Sequence, residues 1–384
     1  MQKRVGFLSH LDLNLYLFRT PIMKELINRG FKVYAICPKG KYNKLLQSNG
    51  VEIVNYEIQR ESINPFKEKV AIENIYNAIK DLNLTMLHTF TAKPNIYGTF
   101  AASKADIPIV LNLVEGLGSF YVHDNFKNRV IRTIMERLYK RAFKLSDGCV
   151  FVNSDDANYM IEKKIIFEDK VKVIKSVGVD TKRFDIKRFS KDKIKEIKKE
   201  NNLQDKIVVL MVARAIWDKG IKEFYESAKI LKQRYKGLEF VLVGSTDEGN
   251  HSCASYEYLK SGKVKWLGHR DDIDELVAIC DIFVLPSYRE GLPATLMEAA
   301  SMSKPIVTTD TVGCREVVKD KFNGYLVPVK DISKLSESIE NLILDKDKRE
   351  LFGKNGRKMV EEEFDVKVVV QKYMGYYKQK GLFE

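Results

Sequence analysis

The sequence predicts an α/β protein built as two doubly wound domains, each a mostly parallel sheet covered by helices, and two observations carry that prediction. Apolar runs of strand length alternate with amphipathic helical stretches along nearly all of its 384 residues, the pattern imposed by parallel strands joined through crossover helices. The alternation fails once near the middle and then restarts, and a chain of this length with 45% hydrophobic residues has enough apolar surface for two cores.

In the first half, residues 5–9, 31–37, 51–57, 86–89, 107–113, 149–153 and 171–174 read as strands. Gly178-Val179-Asp180-Thr181-Lys182-Arg183-Phe184 then loses the apolar pattern and leads into the lysine-rich stretch 191–199. The division is expected there, with a first domain at residues 1–180 and a second at 181–365. Ile207-Val208-Val209-Leu210-Met211-Val212 opens the second domain as a strand, and Asp281-Ile282-Phe283-Val284-Leu285-Pro286 reads as another. Residues 366–384 follow as a terminal helix, with no internal repeat or low-complexity tract elsewhere.

Composition narrows the function. No segment approaches the roughly 18 to 20 uninterrupted apolar residues that cross a bilayer. Met1-Gln2-Lys3-Arg4 enters a strand without a signal-peptide core, so a cytoplasmic chain is expected. Five scattered cysteines without a Cys-x-x-Cys pair, and five histidines without ligand spacing, give no sign of structural zinc. The net charge of +13 calls for an anionic partner, but no nucleic-acid-binding motif is present. Residues 127–144 hold seven cations and one anion, with Val130, Ile131, Ile134, Met135, Leu138 and Ala142 at helical spacing. Such a helix either lies on an anionic membrane surface or packs its stripe into the core with its cations solvated.

Chemistry concentrates in the second half. In Arg289-Glu290-Gly291-Leu292-Pro293-Ala294-Thr295-Leu296-Met297-Glu298-Ala299, a strand gives way to a helix. The peptide N–H groups of a first helical turn, with the positive end of the helix dipole, suit a diphosphate, and Gly291 lets the backbone come close. Glu290 in the turn is placed to accept from sugar hydroxyls, and Glu298, roughly two turns along, from a ribose. Upstream, Ala213-Arg214-Ala215-Ile216-Trp217-Asp218-Lys219-Gly220 forms a second strand-to-helix turn, whose Arg214 and Lys219 suit a diphosphate leaving group.

The Arg214…Lys219-Gly220 turn, Val243-Gly244, Leu267-Gly268-His269-Arg270, Leu285-Pro286-Ser287 and the Glu290…Glu298 block, in this order, resemble family-4 retaining glycosyltransferases of the GT-B fold, over essentially the whole chain. That resemblance implies two Rossmann-like domains facing across a cleft, with the terminal helix crossing back to the first. Val114-Glu115-Gly116-Leu117-Gly118-Ser119-Phe120-Tyr121, Val173-Ile174-Lys175-Ser176-Val177-Gly178-Val179 and Ser252-Cys253-Ala254-Ser255 are similar to the N-acetylgalactosaminyltransferases of bacterial protein N-glycosylation. This likeness implies UDP-N-acetylgalactosamine (UDP-GalNAc) as donor, diacetylbacillosamine diphospho-undecaprenol as acceptor, and a peripheral location on the cytoplasmic face of the inner membrane. The alternatives are another lipid-linked or lipopolysaccharide hexosyltransferase, a UDP-sugar 2-epimerase, or a non-catalytic sugar-nucleotide-binding partner. Arg214, Lys219 and the Glu290…Glu298 block together argue against the last two.

By the same resemblance the donor site comprises Gly244, His269, Arg270, Gly291, Leu292, Pro293, Ala294, Thr295 and Glu298, with catalysis assigned to Arg214, Lys219, Glu290 and Glu115. Many relatives carry a histidine where this chain has Glu115, so Glu115 either orients or deprotonates the attacking hydroxyl, or braces the loop Gly116-Leu117-Gly118. His10, Arg19, His88 and Lys93 are the candidate acceptor contacts. Asp271-Asp272-Ile273-Asp274 has the letters of a metal motif but opens a helix, where acids favour the N-terminus. No obligatory metal or cofactor is expected.

Overall fold

The computed structural model describes residues 2–58, 65–175 and 178–384, with the side chains of 65 and 66 left aside. The chain divides into two compact units, residues 1–177 together with 367–384, and residues 178–366.

The first unit is built on seven strands: β1 (Arg4–Leu8), β2 (Lys32–Cys37), β3 (Glu52–Asn55), β4 (Met86–Phe90), β5 (Ile109–Val114), β6 (Gly148–Phe151) and β7 (Val171–Val173). All pair in parallel, in the order β3-β2-β1-β4-β5-β6-β7. Its central strands are apolar runs because helices cover both faces, and Val5, Phe7, Leu8, Leu87, Leu111 and Leu113 have no exposed surface. The second unit repeats the plan with β8 (Ile207–Val212), β9 (Leu238–Val243), β10 (Lys265–Trp266), β11 (Ile282–Leu285), β12 (Ile306–Thr309) and β13 (Gly324–Val327), parallel in the order β10-β9-β8-β11-β12-β13.

Each sheet reverses its strand order once, between β1 and β4 in the first unit and between β8 and β11 in the second. At such a switch point the connections leave in opposite directions and open a crevice at the carboxyl ends of the strands, where open α/β sheets bind ligands.

The terminal helix Val366–Gln379 belongs to the first unit from Lys367 onward. Val369, Val370, Tyr373, Met374, Tyr376 and Tyr377 recur at helical spacing and are buried. Each such side chain contributes roughly 1.5–3 kcal/mol when fully removed from water. A Cβ at Gly148 would stand 2.1 Å from the Tyr376 hydroxyl, so glycine opens β6 to admit this helix. Lys380 donates to the Asp147 carbonyl at 2.7 Å and Lys3 to that of Leu382 at 2.6 Å, tying down the end of the chain.

The basic helix, Phe126–Leu145, is capped by Asn125, whose side chain accepts from the Asn128 amide. The two readings of its apolar stripe divide between its halves. Tyr139, Ala142 and Phe143 are buried, with Met135 and Leu138 against the same core. Phe126, Val130 and Ile134, one helical turn apart, stay exposed at 83%, 44% and 52%.

Candidate functional site

In the second unit, the turns after β8 and β11 meet at the switch point. Lys219 Nζ donates to Glu290 Oε1 at 2.5 Å, and Ser287 Oγ donates to the same oxygen at 2.6 Å. Both charged side chains are mostly buried, at 20% and 11% exposure. Backbone geometry forces the meeting. Gly220 has a φ of +78°, and a Cβ on it would stand 2.2 Å from the Pro286 carbonyl oxygen, so only glycine lets the two turns lie against each other. Gly244, after β9, is packed still more closely. Its φ is +144°, and a Cβ would come within 1.8 Å of the Ala213 carbonyl oxygen, beside Arg214. Arg214 reaches Asp247 Oδ2 at 2.6 Å and remains exposed.

Residues 286–293 lead into the helix Ala294–Ser301, with Pro293 as its N-cap. Leu292 and Thr295 flank that cap, and Glu290 N donates to the Val312 carbonyl at 3.1 Å, pinning the turn to the one after β12. Glu298 lies in this helix. Desolvation pushes its carboxyl up to about 7, with Arg183 opposing and Asp274 adding to the rise.

The Leu267–Arg270 loop is held through its backbone, Gly244 N donating to the Gly268 carbonyl at 2.7 Å. Arg270 turns its guanidinium onto Asp272 with two bonds, the one from Nε at 2.7 Å. His269 is exposed beside Asp271 at 3.2 Å. Asp272 stands at the N-cap position of the helix Ile273–Ile279 with its carboxylate turned to Arg270, and Asp274 pairs with Arg183 at 3.4 Å and Arg188 at 2.9 Å. Asp272 and Asp274 are thus engaged with arginine side chains.

The first unit has a matching arrangement at its own switch point. His10, after β1, lies 2.5 Å through Nδ1 from Thr91 Oγ1, after β4. Thr91 adopts a φ of +74°, a conformation that costs a β-branched residue on the order of 1–3 kcal/mol. Its carbonyl accepts from Asn95 N at 2.9 Å. Beneath, Asn112 Nδ2 donates to Thr89 and Thr99 hydroxyls, each at 2.8 Å, and Asn95 Nδ2 to the Leu113 carbonyl at 2.8 Å. These buried bonds fix the ends of β4 and β5. Glu115 follows β5, its carboxylate held by Asn14 at 3.0 and 3.1 Å and by Arg19.

The sequence matches two family models, "Glycosyl transferase 4-like" over residues 4–153 and "Glycosyl transferases group 1" over residues 192–359. It is also 41% identical over 377 residues, 97% of this chain and 98% of the relative, to the N,N'-diacetylbacillosaminyl-diphospho-undecaprenol α-1,3-N-acetylgalactosaminyltransferase of Campylobacter jejuni. The chain belongs to the family-4 glycosyltransferases. A second relative of this glycosyltransferase, the UDP-Gal:α-D-GlcNAc-diphosphoundecaprenol α-1,3-galactosyltransferase of Escherichia coli, is 26% identical, with 82% and 81% of the two chains covered. Among solved structures, Anabaena HepE in complex with UDP superposes with a TM-score of 0.77 at 20% identity, covering 99% and 100% of the chains. The sucrose-phosphate synthase of Thermosynechococcus elongatus gives 0.81 at 18% identity, covering 98% and 99%. The fold of the glycosyltransferase is therefore GT-B, as expected.

Two of the expected acceptor contacts in the glycosyltransferase are corrected. His88 has no exposed surface, because β4 runs to Phe90 and carries it inside the sheet, where Nδ1 meets the Tyr377 hydroxyl at 2.7 Å. Desolvation holds His88 well below the usual histidine range, with Arg19 adding to the effect. Arg19 is itself fully buried, its guanidinium carbon 4.6 Å from the centre of the Phe90 ring. Its guanidinium holds the Glu115 carboxylate. Lys93 pairs with Glu68 at 2.9 Å and is largely buried. Asn14, Thr91, Ser287 and Asp247 received no role from the sequence. Arg19 carried a signal, since it falls on the apolar stripe of Leu15, Ile22, Met23 and Leu26 in the helix Asp12–Asn28.

Proposed function

We propose that this glycosyltransferase moves N-acetylgalactosamine from UDP-GalNAc, with retention, to the 3-hydroxyl of diacetylbacillosamine on undecaprenyl diphosphate, a step in assembling the lipid-linked oligosaccharide for protein N-glycosylation. The observation that carries the reading is the 41% identity, spread over both domains, to a transferase of that specificity. The Escherichia coli relative, also named for an α-1,3 transfer onto a diphosphoundecaprenol-linked sugar, supports the acceptor class and keeps a different donor hexose as the second reading.

Glu290 holds hydroxyls of the donor sugar, with Lys219 beside it to meet the diphosphate. Arg214 adds positive charge as UDP departs, and the amides of residues 291–295 receive phosphate oxygens. Glu298 accepts from the ribose, and Arg270 or the loop that carries it meets the uracil. His10 and Lys93 belong to the acceptor side, with Glu115 receiving the attacking hydroxyl. Transfer proceeds by front-face displacement: the bond from C1 to the β-phosphate oxygen breaks, the acceptor oxygen bonds C1 on the same face, and its proton passes to the departing phosphate. No metal is required. The exposed face of Phe126, Val130 and Ile134, among seven cations, rests on the anionic cytoplasmic leaflet.

UDP release tests the reading, measured over a panel of UDP-sugars with and without a short-chain polyprenyl-diphosphate-bacillosamine, in the presence and absence of EDTA. Release is expected to need UDP-GalNAc and this lipid together and to survive EDTA. Equal release with another donor, or without the lipid, overturns the assignment, and complete loss in EDTA overturns the metal-free mechanism.

A further inference from the structure

The carboxylate of Glu115 is held by three hydrogen bonds, and their distribution between its oxygens is uneven. Oε1 accepts from Asn14 Nδ2 at 3.0 Å and from the Arg19 guanidinium, whereas Oε2 accepts, among the described residues, only the second Asn14 contact at 3.1 Å. A carboxylate offers about two acceptor positions on each oxygen. Both on Oε1 are therefore filled and one on Oε2 is open. The side chain is 26% exposed although Arg19 behind it is fully buried, so the carboxylate stands at the surface with its partners beneath.

The support below is rigid. Arg19 lies against Phe90, and the neighbouring His88, held well below its usual range by burial and by Arg19, presents no second cation. Asn14 and Arg19 lie on one helix, and Glu115 directly follows β5, whose neighbour β4 is fixed to it by the Thr89–Asn112 bond. The carboxylate cannot rotate to offer Oε1 without giving up the guanidinium bond.

The geometry points to Asn14 and Arg19 as positioning residues that leave Glu115 a single open acceptor position, on Oε2, and so select which acceptor hydroxyl is held for attack. This rests on the proposed transfer to a sugar hydroxyl. Orienting a hydroxyl through one lone pair favours the acceptor over water, because a water molecule reorients freely while a sugar held elsewhere does not. The two residues accordingly control how donor turnover divides between transfer and hydrolysis.

The test is that ratio, with sugar-transfer product and free GalNAc both quantified for wild type, Asn14→Ala and Arg19→Lys. Asn14→Ala removes a neutral, half-buried side chain, and Arg19→Lys keeps the charge but loses the fork. In each, kcat for transfer is expected to fall at least tenfold, while hydrolysis and the donor KM stay within twofold. Products bearing a linkage other than that made by wild type would support the same conclusion. Transfer and hydrolysis falling together, or an unchanged ratio in a folded Asn14→Ala protein, would overturn it. Thermal melting establishes folding, and Asn14→Ala carries the test alone if Arg19→Lys does not fold. The measurement uses whichever lipid-linked acceptor wild type glycosylates, so an error in acceptor identity shows as a change of acceptor, separate from the ratio.

Discussion

Lys219 and Glu290, from turns that follow different strands, share a 2.5 Å hydrogen bond at the point where the second sheet reverses its strand order. The pair joins the residue suited to a diphosphate to the residue suited to sugar hydroxyls, so disturbing one disturbs the other. Glu290→Gln keeps the shape but removes the counter-charge, and kcat is expected to fall about 10²- to 10³-fold, the scale for losing one preorganised polar contact. Lys219→Ala is expected to lose a similar factor, and the double variant little more, because the two act as a unit. Multiplying losses, measured by UDP release, would show independent roles.

Glu298 makes donor binding depend on pH. Its carboxyl is raised to about 7, so near neutrality a large fraction is protonated in the free protein. Ribose hydroxyls donate best to the ionised form, so UDP binding is expected to tighten as pH rises through about 7 and to release protons. Below that value the affinity falls by up to about tenfold per pH unit. Calorimetry at pH 6 and 8 should show this difference in wild type and its absence in Glu298→Gln.

His88 governs stability at lower pH. Its folded value lies well below the ordinary 6.5, so the unfolded chain binds the proton more readily. The stability it confers is present above about 6.5 and is lost as pH falls toward the depressed folded value. Urea melts at pH 7.5 and 5.5 should show a decline attributable to this residue, reduced in His88→Gln. Tyr377→Phe removes the hydrogen bond at Nδ1 of the buried ring and should cost about 1–3 kcal/mol at pH 7.5.

Gly244→Ala is expected to weaken UDP binding without removing any side chain from the donor turns. Its Cβ would stand 1.8 Å from the Ala213 carbonyl at a φ of +144°, so the Arg214 turn must move. Backbone strain alone costs about 1–3 kcal/mol. An unchanged UDP affinity by calorimetry would refute the link.

The exposed stripe on the basic helix gives the membrane reading a direct check. Replacing Phe126, Val130 and Ile134 with serine should reduce co-sedimentation with vesicles rich in anionic lipid by at least tenfold and leave the melting temperature nearly unchanged, since these side chains contribute little to the core. Equal binding by the triple variant would remove the helix from the membrane proposal.

The parallel strands were legible because helix-covered strands are apolar on both faces, and all seven expected in the first half appear within two residues at each end. The pairing of Lys219 with Glu290 was not, because it depends on which strands become neighbours, and local spacing says nothing of residues 71 positions apart. His88 was misjudged for a related reason. A histidine near a strand end looks available until the strand proves one residue longer and a tyrosine 289 positions away takes its Nδ1. On the basic helix, one continuous stripe serves the core at one end and solvent at the other, and periodicity cannot locate the boundary between them.

The return of residues 367–384 to the first unit bears on how the protein is made. Tyr373 and Tyr377, both without exposed surface, leave the ribosome only after all of residues 178–366, so the unit begun first cannot be completed before the second has been made. Until those residues have emerged, His88 lacks its tyrosine partner and Gly148 lacks the Tyr376 side chain that packs against it. Residues 178–366, by contrast, form a continuous segment and have no need to wait. A truncation that removes residues 367–384 would therefore damage the amino-terminal domain, far along the sequence from the lesion.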